Sequence, residues 1–194
     1  MLQETSASSV GRGHTMNLFA RLIACLILAI PACGVRQERQ AIPGAVRVIL
    51  DQRYAGWRVA SVSGEVRDWV GDRLGPTPNV IVGDFDGNGQ ADCAVLIEYP
   101  NTDAPEKAYT HYLEVLAFLD DAGSPRLVRV RDRQPGPNPE QFLALQRRGA
   151  EGFDFEANKK FTYAHDSIGE WYFGKAGGTY IFSDGRFRYV HEAD

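Results

Sequence analysis

From Asn79 to the C-terminus, the chain consists mainly of short apolar and aromatic runs separated by Gly, Pro, Asn and Asp. Such runs favour β-strands, and the residues between them favour tight turns. In Ser183-Asp184-Gly185, the Asp-Gly pair readily adopts the positive φ angles of a tight hairpin. Closely spaced strands joined by such turns pair antiparallel. Together with a run at 57–62, the predicted strands span residues 79–85, 91–99, 109–119, 127–130, 142–145, 161–164, 167–173, 178–182 and 186–190.

Two segments near the start of the predicted domain have helical patterns. In Ala45–Tyr54, the apolar residues at positions 46, 49, 50 and 54 recur with the spacing of one helix face. A second, shorter helix is expected from Glu65 to Leu74, where a Gly-Pro-Thr-Pro sequence ends it. No unit recurs at a fixed period, which argues against a solenoid or a complete propeller. The predicted fold class is α+β: one or two N-terminal helices followed by a mostly antiparallel β-sheet.

The first 33 residues have the features of an export signal. Arg21 precedes nine uninterrupted apolar residues, Leu22–Ile30, and small residues follow them. A basic residue, an apolar core and small residues, in that order, are typical of a secretory signal. The apolar run is shorter than the roughly 20 residues that a membrane-spanning helix needs. We therefore predict export from the cytoplasm, with translation starting at Met1 or at Met16.

The end of the apolar run, Ile30-Pro31-Ala32-Cys33-Gly34, resembles the lipobox of bacterial lipoproteins. In that family the cysteine is lipidated and becomes the first mature residue. The resemblance implies lipidation of Cys33, a membrane anchor, and a location in the periplasm or at the outer membrane. The alternative is ordinary signal cleavage after Gly34. The predicted organisation is an N-terminal extension and signal peptide (1–33), a tether (34–43) and a single α+β domain (44–194).

Composition limits the classes of partner. The chain has 21 Lys and Arg against 25 Asp and Glu, a net charge of −4, whereas nucleic-acid binding calls for a clustered basic face. The arginines between positions 126 and 133 alternate as they would along a strand edge, so we predict no nucleic-acid binding.

Cys93 lies in an apolar strand and is predicted to be a buried hydrophobic residue. If Cys33 is not lipidated, a Cys33–Cys93 disulfide is the alternative.

The most informative segment is an Asp-rich loop, Asp84 to Asp92, which lies between two predicted strands. Calcium binds about six to eight oxygen atoms, and alternate residues of a tightly coiled loop direct their side chains to one side. Gln90 would contribute its backbone carbonyl, and Gly87 and Gly89 permit the bend. Magnesium is less suited because it prefers a small octahedral shell and retains its waters. The loop is predicted to hold a structural Ca²⁺ ion with these ligands: Asp84, Asp86, Asn88, Gln90 and Asp92.

The loop differs from an EF-hand and is similar to another calcium motif. An EF-hand has a bidentate Glu at its twelfth position, where this chain has Val95. The segment Gly83–Ile97 resembles the strand–loop–strand unit of FG-GAP repeats, as in integrin-α propellers and related bacterial surface proteins. The resemblance implies a calcium-loop hairpin with the five ligands named above. It does not imply a propeller, because a propeller needs several blades. The C-terminal half, with Asp166-Ser-Ile-Gly and the closing Asp-Gly-Arg-Phe hairpin, also resembles small bacterial exported proteins with a single such loop.

We find no catalytic constellation in the sequence. His165-Asp166-Ser167 has the residue types of a hydrolase triad, but adjacent residues of an extended chain point to opposite faces. His111 and His191 lack the spacing of a metal-binding motif. The numerous aromatic residues of the C-terminal half are expected to pack in the core and across strands.

These observations together predict the function. We expect an exported, lipid-anchored envelope protein with a structural calcium loop, acting as a non-enzymatic binding or structural module for an envelope protein or a glycan. The alternative is an envelope hydrolase whose catalytic residues are dispersed along the chain. A third hypothesis, an accessory subunit or inhibitor, would require an exposed apolar patch.

Overall fold

The computed structural model describes residues 42–71, 77–102 and 109–193. This part of the chain is mostly antiparallel β-sheet with two helices near its start, compatible with the predicted α+β class. Its elements, in chain order, are α1 (Gly44–Arg53), β1 (Arg58–Val59), α2 (Gly64–Val70), β2 (Val80–Gly83), β3 (Asp92–Pro100), β4 (His111–Asp121), β5 (Ser124–Arg129), β6 (Gln134–Gly136), β7 (Gln141–Gln146), β8 (Glu151–Asp154), β9 (Lys159–Thr162), β10 (Ser167–Tyr172), β11 (Gly177–Ser183) and β12 (Arg186–Ala193).

Strands β3 and β4 form the centre of the first sheet. They pair antiparallel from Cys93 opposite Phe118 to Pro100 opposite His111. Strands β1 and β2 pair with successive parts of the outer edge of β3, and β5 and β6 do the same along β4. Both central strands are therefore covered on both edges, which agrees with their nearly continuous apolar sequences.

The two faces of this sheet are buried against different elements. Helix α1 covers one face, where Val46 and Leu50 pack among Val95, Ile97 and their neighbours. The helix is held mainly by this apolar contact, since burial of one Leu side chain contributes roughly 1.5–3 kcal/mol. The opposite face packs on the second sheet, whose strand order is β12-β11-β10-β7. Strands β8 and β9 form a separate two-stranded ribbon.

Several sequence-based expectations are confirmed in detail. The helix expected at Ala45–Tyr54 is α1. The hairpin between β11 and β12 turns at Asp184 and Gly185, with φ angles of 52° and 78°. Aromatic residues pair directly across that hairpin, Tyr180 with Tyr189 and Phe182 with Phe187. Such cross-strand pairs stabilise the register of the sheet.

Other elements differ from the expectation. The segment around Pro135, which lies in none of the predicted strands, contains β6, because a proline can occupy an edge strand that needs no further donor on that side. Strand β1 is two residues long where 57–62 was predicted. Helix α2 ends at Val70, since Gly71 adopts a φ of 59°, and residues 72–76 lie outside the described part. Strand β8 was not predicted.

Candidate metal centre

The Asp-rich loop connects β2 to β3 at one end of the first sheet. The last pair of the antiparallel ladder, Gly83 opposite Asp92, closes the loop at its base. Asp84, Asp86 and Asp92 each place a carboxylate oxygen within 4.8 Å of the others. The hairpin therefore gathers three of the five predicted metal ligands into one cluster.

Backbone amides inside the loop fix the two outer carboxylates. Asp84 accepts hydrogen bonds from Gly87 N to Oδ1 (2.8 Å) and from Gly89 N to Oδ2 (3.1 Å). Asp86 Oδ1 accepts one from Asn88 N (3.1 Å). Both glycines have positive φ, 79° and 83°, which turns their amides inward. Each carboxylate oxygen has two acceptor sites, so a single hydrogen bond leaves capacity for a cation.

Asp92 forms the buried side of the cluster. It is 1 % exposed, and its two oxygens accept hydrogen bonds from Phe85 N (2.8 Å) and from Asp120 N on β4 (2.7 Å). Burial raises the pKa of Asp92, the two hydrogen bonds oppose that shift, and the charge of Asp86 adds to it. A cation beside Asp92 would offset the cost of keeping this carboxylate ionised.

Asn88 and Gln90 occupy the exposed part of the loop. Asn88 Oδ1 accepts a hydrogen bond from Gln90 N (2.7 Å), and its Nδ2 donates to the carbonyl oxygen of Asp120 (2.9 Å). Asn88 thus joins the loop to the end of β4. The ligand roles of the Asn88 side chain and the Gln90 carbonyl stay predictions.

Two residues from the turn before β10 support the loop, and sequence reasoning did not connect them with it. Asp166 Oδ2 accepts a hydrogen bond from Asp84 N (3.3 Å), and Asp166 N donates to Asp84 O (3.1 Å). The imidazole of His165 packs so closely on Gly87 that a Cβ there would overlap it. Because Asp166 lies 82 residues from Asp84, no local pattern in the sequence could reveal the contact.

The contacts of His165, Asp166 and Ser167 also show how these three side chains are arranged. The carboxylate of Asp166 is occupied by the loop and by Arg148 N (2.9 Å). Ser167 is buried, and its hydroxyl donates to the backbone carbonyl of His165 (3.4 Å). The three side chains therefore engage separate partners and do not form a triad with one another.

Predictions were made for two cysteines, Cys93 and Cys33. Cys93 is 3 % exposed within the apolar cluster beneath α1, as expected. Burial raises the pKa of its thiol to about 12. Cys33, the predicted lipidation site, lies outside the described residues, as do the signal segment and most of the tether.

Three buried glutamates were missed by the sequence analysis. Each interrupts an apolar run of a strand and bonds an arginine: Glu98 with Arg58, Glu114 with Arg129, and Glu170 with Arg131. Acidic residues in such runs must be paired to be buried. The position of each glutamate in an apolar run was therefore the sequence signal for a buried ion pair. Arg129 is the last residue of β5, and Arg131 lies beyond the strand and bonds a glutamate of the second sheet.

No protein-family model, curated protein or solved structure matches the chain. Among the described residues, neither helix has the length and apolar character needed to cross a membrane.

Proposed function

We propose that this chain is an exported, lipid-anchored envelope protein that acts as a non-enzymatic binding or structural module and is stabilised by one calcium ion in the loop Asp84–Asp92. The observation that carries the calcium site is the convergence of carboxylate oxygens from Asp84, Asp86 and Asp92 within 4.8 Å of one another. Three like charges at this separation repel one another unless a cation lies between them.

The donor set suits calcium. Carboxylate and amide oxygens are hard ligands, and the number available, supplemented by a backbone carbonyl and water, fits a flexible shell of about six to eight oxygens. A bound ion would link the exposed loop residues to buried Asp92, and so to β3 and β4. The ion would stabilise this end of the sheet. The residues then act by holding the metal, and no reaction is assigned to them.

The proposal is tested by thermal unfolding of residues 34–194, which lack the predicted signal and lipidation site, after removal of metal by a chelator. A ligand that binds only the folded state adds about 2.7 kcal/mol at a concentration 100-fold above its dissociation constant. We expect calcium to raise the midpoint more than magnesium does. Asp86→Asn should abolish the rise, and Asp121→Asn, which removes an exposed carboxylate at the end of β4, should retain it. No calcium-dependent shift at millimolar concentration would refute the site.

Export and anchoring need a separate experiment. The support is the sequence from Arg21 to Gly34, with its basic residue, apolar run and lipobox-like end. We expect the full chain, expressed in a bacterium, to fractionate with membranes and to carry lipid on Cys33 in mass spectra of its N-terminal peptide. Cys33→Ala should release it. A soluble wild-type protein cleaved after Gly34 would support ordinary secretion instead.

The alternatives remain hypotheses. A hydrolase needs an accessible nucleophile or base, whereas the buried Glu114 carboxylate already accepts hydrogen bonds from Arg129 and Tyr99. An accessory subunit would use exposed apolar residues, of which Trp69 is 63 % exposed. Trp69 packs edge-on against Phe142 and Phe173.

A further inference from the structure

A second polar site lies at the other end of β3 from the metal loop. An open pocket of about 440 Å³ is lined by Tyr99, Arg129, Asp132 and Arg133. Asp92 and Tyr99 are at opposite ends of the same strand, which places the two sites roughly 23 Å apart at about 3.3 Å per residue. The calcium loop and this pocket therefore share a sheet but no lining residue.

The guanidinium group of Arg129 is oriented by a buried acid. Its Nε donates to Oε1 of Glu114 at 2.5 Å, and Glu114 is fully buried. The other oxygen of Glu114 accepts the hydroxyl of Tyr99 at 2.9 Å. The Arg129 side chain is nevertheless 59 % exposed. An arginine held through Nε in this way can present the opposite edge of its guanidinium to a ligand.

The second arginine is held by an aromatic ring. The guanidinium carbon of Arg133 lies 4.3 Å from the ring centroid of Tyr112, a cation–π contact. Tyr112 is buried and contacts the rings of Tyr99 and Tyr109, so the platform beneath Arg133 is rigid. Both arginines of the pocket thus have a restraining contact within the protein before any ligand arrives. Ordering of long side chains is one of the main costs of binding, and this arrangement reduces it.

We propose that this pocket binds an oxyanion, namely the carboxylate or phosphate group of a small soluble ligand. Arginine recognises both groups through paired N–H donors, and two ordered guanidinium groups on one pocket suit the several oxygens of such a group. The acidic side chain on the pocket wall, Asp132, disfavours a bare anion. It would instead accept a hydrogen bond from a hydroxyl or ammonium group next to the anionic group of the ligand.

The test uses the calcium-loaded full chain, with inorganic phosphate and acetate as separate probes in isothermal titration calorimetry. We expect Arg133→Gln to weaken binding by about tenfold, the effect of losing roughly one charge-assisted contact. Arg126→Gln removes an equal charge from an exposed position on the same strand as Arg129 and should change the affinity less than twofold. Asp132→Asn should strengthen the binding of both bare anions.

A second variant tests the role of Arg129 without leaving Glu114 unpaired. Arg129→Lys keeps the positive charge beside Glu114 but removes the paired donors, so it should retain the fold and bind the probes about tenfold more weakly. The calcium-dependent rise in the unfolding midpoint, measured on the same samples, separates failure of this pocket from failure of the metal loop. The proposal is wrong if neither the wild-type chain nor the Asp132→Asn variant binds either probe at millimolar concentration, or if Arg126→Gln weakens binding as much as Arg133→Gln does.

The same oxyanion could belong to a free molecule or to a lipid headgroup. Sedimentation with vesicles of anionic phosphatidylglycerol and of neutral phosphatidylcholine separates these sources. The assay uses the Cys33→Ala variant, so that a lipid anchor does not contribute. A soluble ligand predicts no Arg133-dependent sedimentation with either vesicle. Sedimentation with phosphatidylglycerol that Arg133→Gln abolishes would overturn the assignment to a soluble ligand.

Discussion

Asp84 and Asp166 are joined by a reciprocal pair of contacts: the Asp84 amide donates to the carboxylate of Asp166, and the Asp166 amide donates to the carbonyl of Asp84. The same carboxylate accepts a hydrogen bond from Arg148 N and forms an ion pair with Arg147. Asp84 begins the Asp-rich loop, and Asp166 lies just before β10 in the second sheet. This pair therefore ties the loop to the sheet that packs beneath it.

We expect Asp166→Ala to weaken calcium binding by about tenfold although Asp166 is not a predicted ligand. Its loss removes the acceptor of the Asp84 amide and leaves only the backbone hydrogen bond from Asp166 N to hold the first loop residue. Supporting residues of metal sites have effects of about 10–100-fold. Calcium titration followed by calorimetry measures the change. Asp154→Ala is the matched control, because Asp154 accepts a comparable hydrogen bond from Ala157 N (2.9 Å) in another turn. Equal calcium affinity in the two variants would contradict a positioning role for Asp166.

The buried and half-buried members of the carboxylate cluster, Asp92 and Asp86, should respond differently to loss of charge. Asp92→Asn replaces one of two occupied acceptor oxygens with an NH₂ group, which would face the amide of Phe85 or of Asp120. We expect this variant to lose about 1–3 kcal/mol of unfolding free energy even without calcium. Asp86→Asn keeps an acceptor for Asn88 N and should change metal-free stability by less than about 0.5 kcal/mol.

Urea unfolding of both variants, with chelator and with calcium, checks this contrast. Both variants should lose the stabilisation that calcium confers on the wild-type chain, because each removes one ligand charge. Only the Asp92 variant should be destabilised in chelator. If the two variants were equally stable without metal, the hydrogen bonds to Asp92 would not contribute as the structure implies.

The carboxylate cluster was accessible from sequence because its members are local. Asp84, Asp86 and Asp92 lie within one hairpin, and the strands on both sides fix how the chain returns. The apolar runs likewise predicted most strands, since burial of both faces of β3 and β4 requires such sequences. Local patterns therefore sufficed for the cluster and for most of the fold.

What could not be predicted depends on how the two sheets meet. The support from His165 and Asp166 arises only when β10 packs beside the loop. The pocket around Arg129 brings together residues of β3, of β5 and of the segment that follows β5. Even so, Glu114 within an apolar run was a visible indication that an arginine must lie nearby.

The two glycines of the metal loop allow a test of the His165 contact. Gly87 and Gly89 both have positive φ, but a Cβ on Gly89 would meet open space whereas one on Gly87 would overlap His165. We expect Gly89→Ala to cost about 1 kcal/mol of unfolding free energy through backbone strain alone. Gly87→Ala should cost more, because the imidazole must move as well.

A double variant isolates the steric part of that cost. Combining Gly87→Ala with His165→Ala removes the overlapping ring, so the double variant should recover the difference between the two single glycine variants. Chemical unfolding in chelator of the wild-type chain, Gly87→Ala, His165→Ala and the double variant completes the cycle without a contribution from metal. A non-additive recovery of about 1 kcal/mol or more would establish the contact. Strict additivity would show that His165 and Gly87 do not interact.

At high pH, ionisation of buried tyrosines should destabilise the fold. Burial is the largest cause of the raised pKa values of Tyr99, Tyr163 and Tyr180, and neighbouring glutamates raise them further. Their folded-state pKa values lie above the ordinary value of 10.0. The stability that they contribute is therefore fully present below pH 10 and is lost as the pH rises towards the folded-state values. Each such tyrosine should lower the unfolding free energy by up to about 1.4 kcal/mol per pH unit in that range.

Urea unfolding at a series of alkaline pH values, with tyrosine ionisation followed by ultraviolet absorbance, checks this expectation. Tyr163→Phe removes one titrating group, so the loss of stability with pH should be shallower in that variant. Phe161→Leu is the control, because Phe161 packs edge-on against Tyr163 and carries no titrating group, so it should leave the slope unchanged. Ionisation of Tyr163 near pH 10 in a chain that stays folded would contradict the burial of its hydroxyl between Thr179 and Glu192.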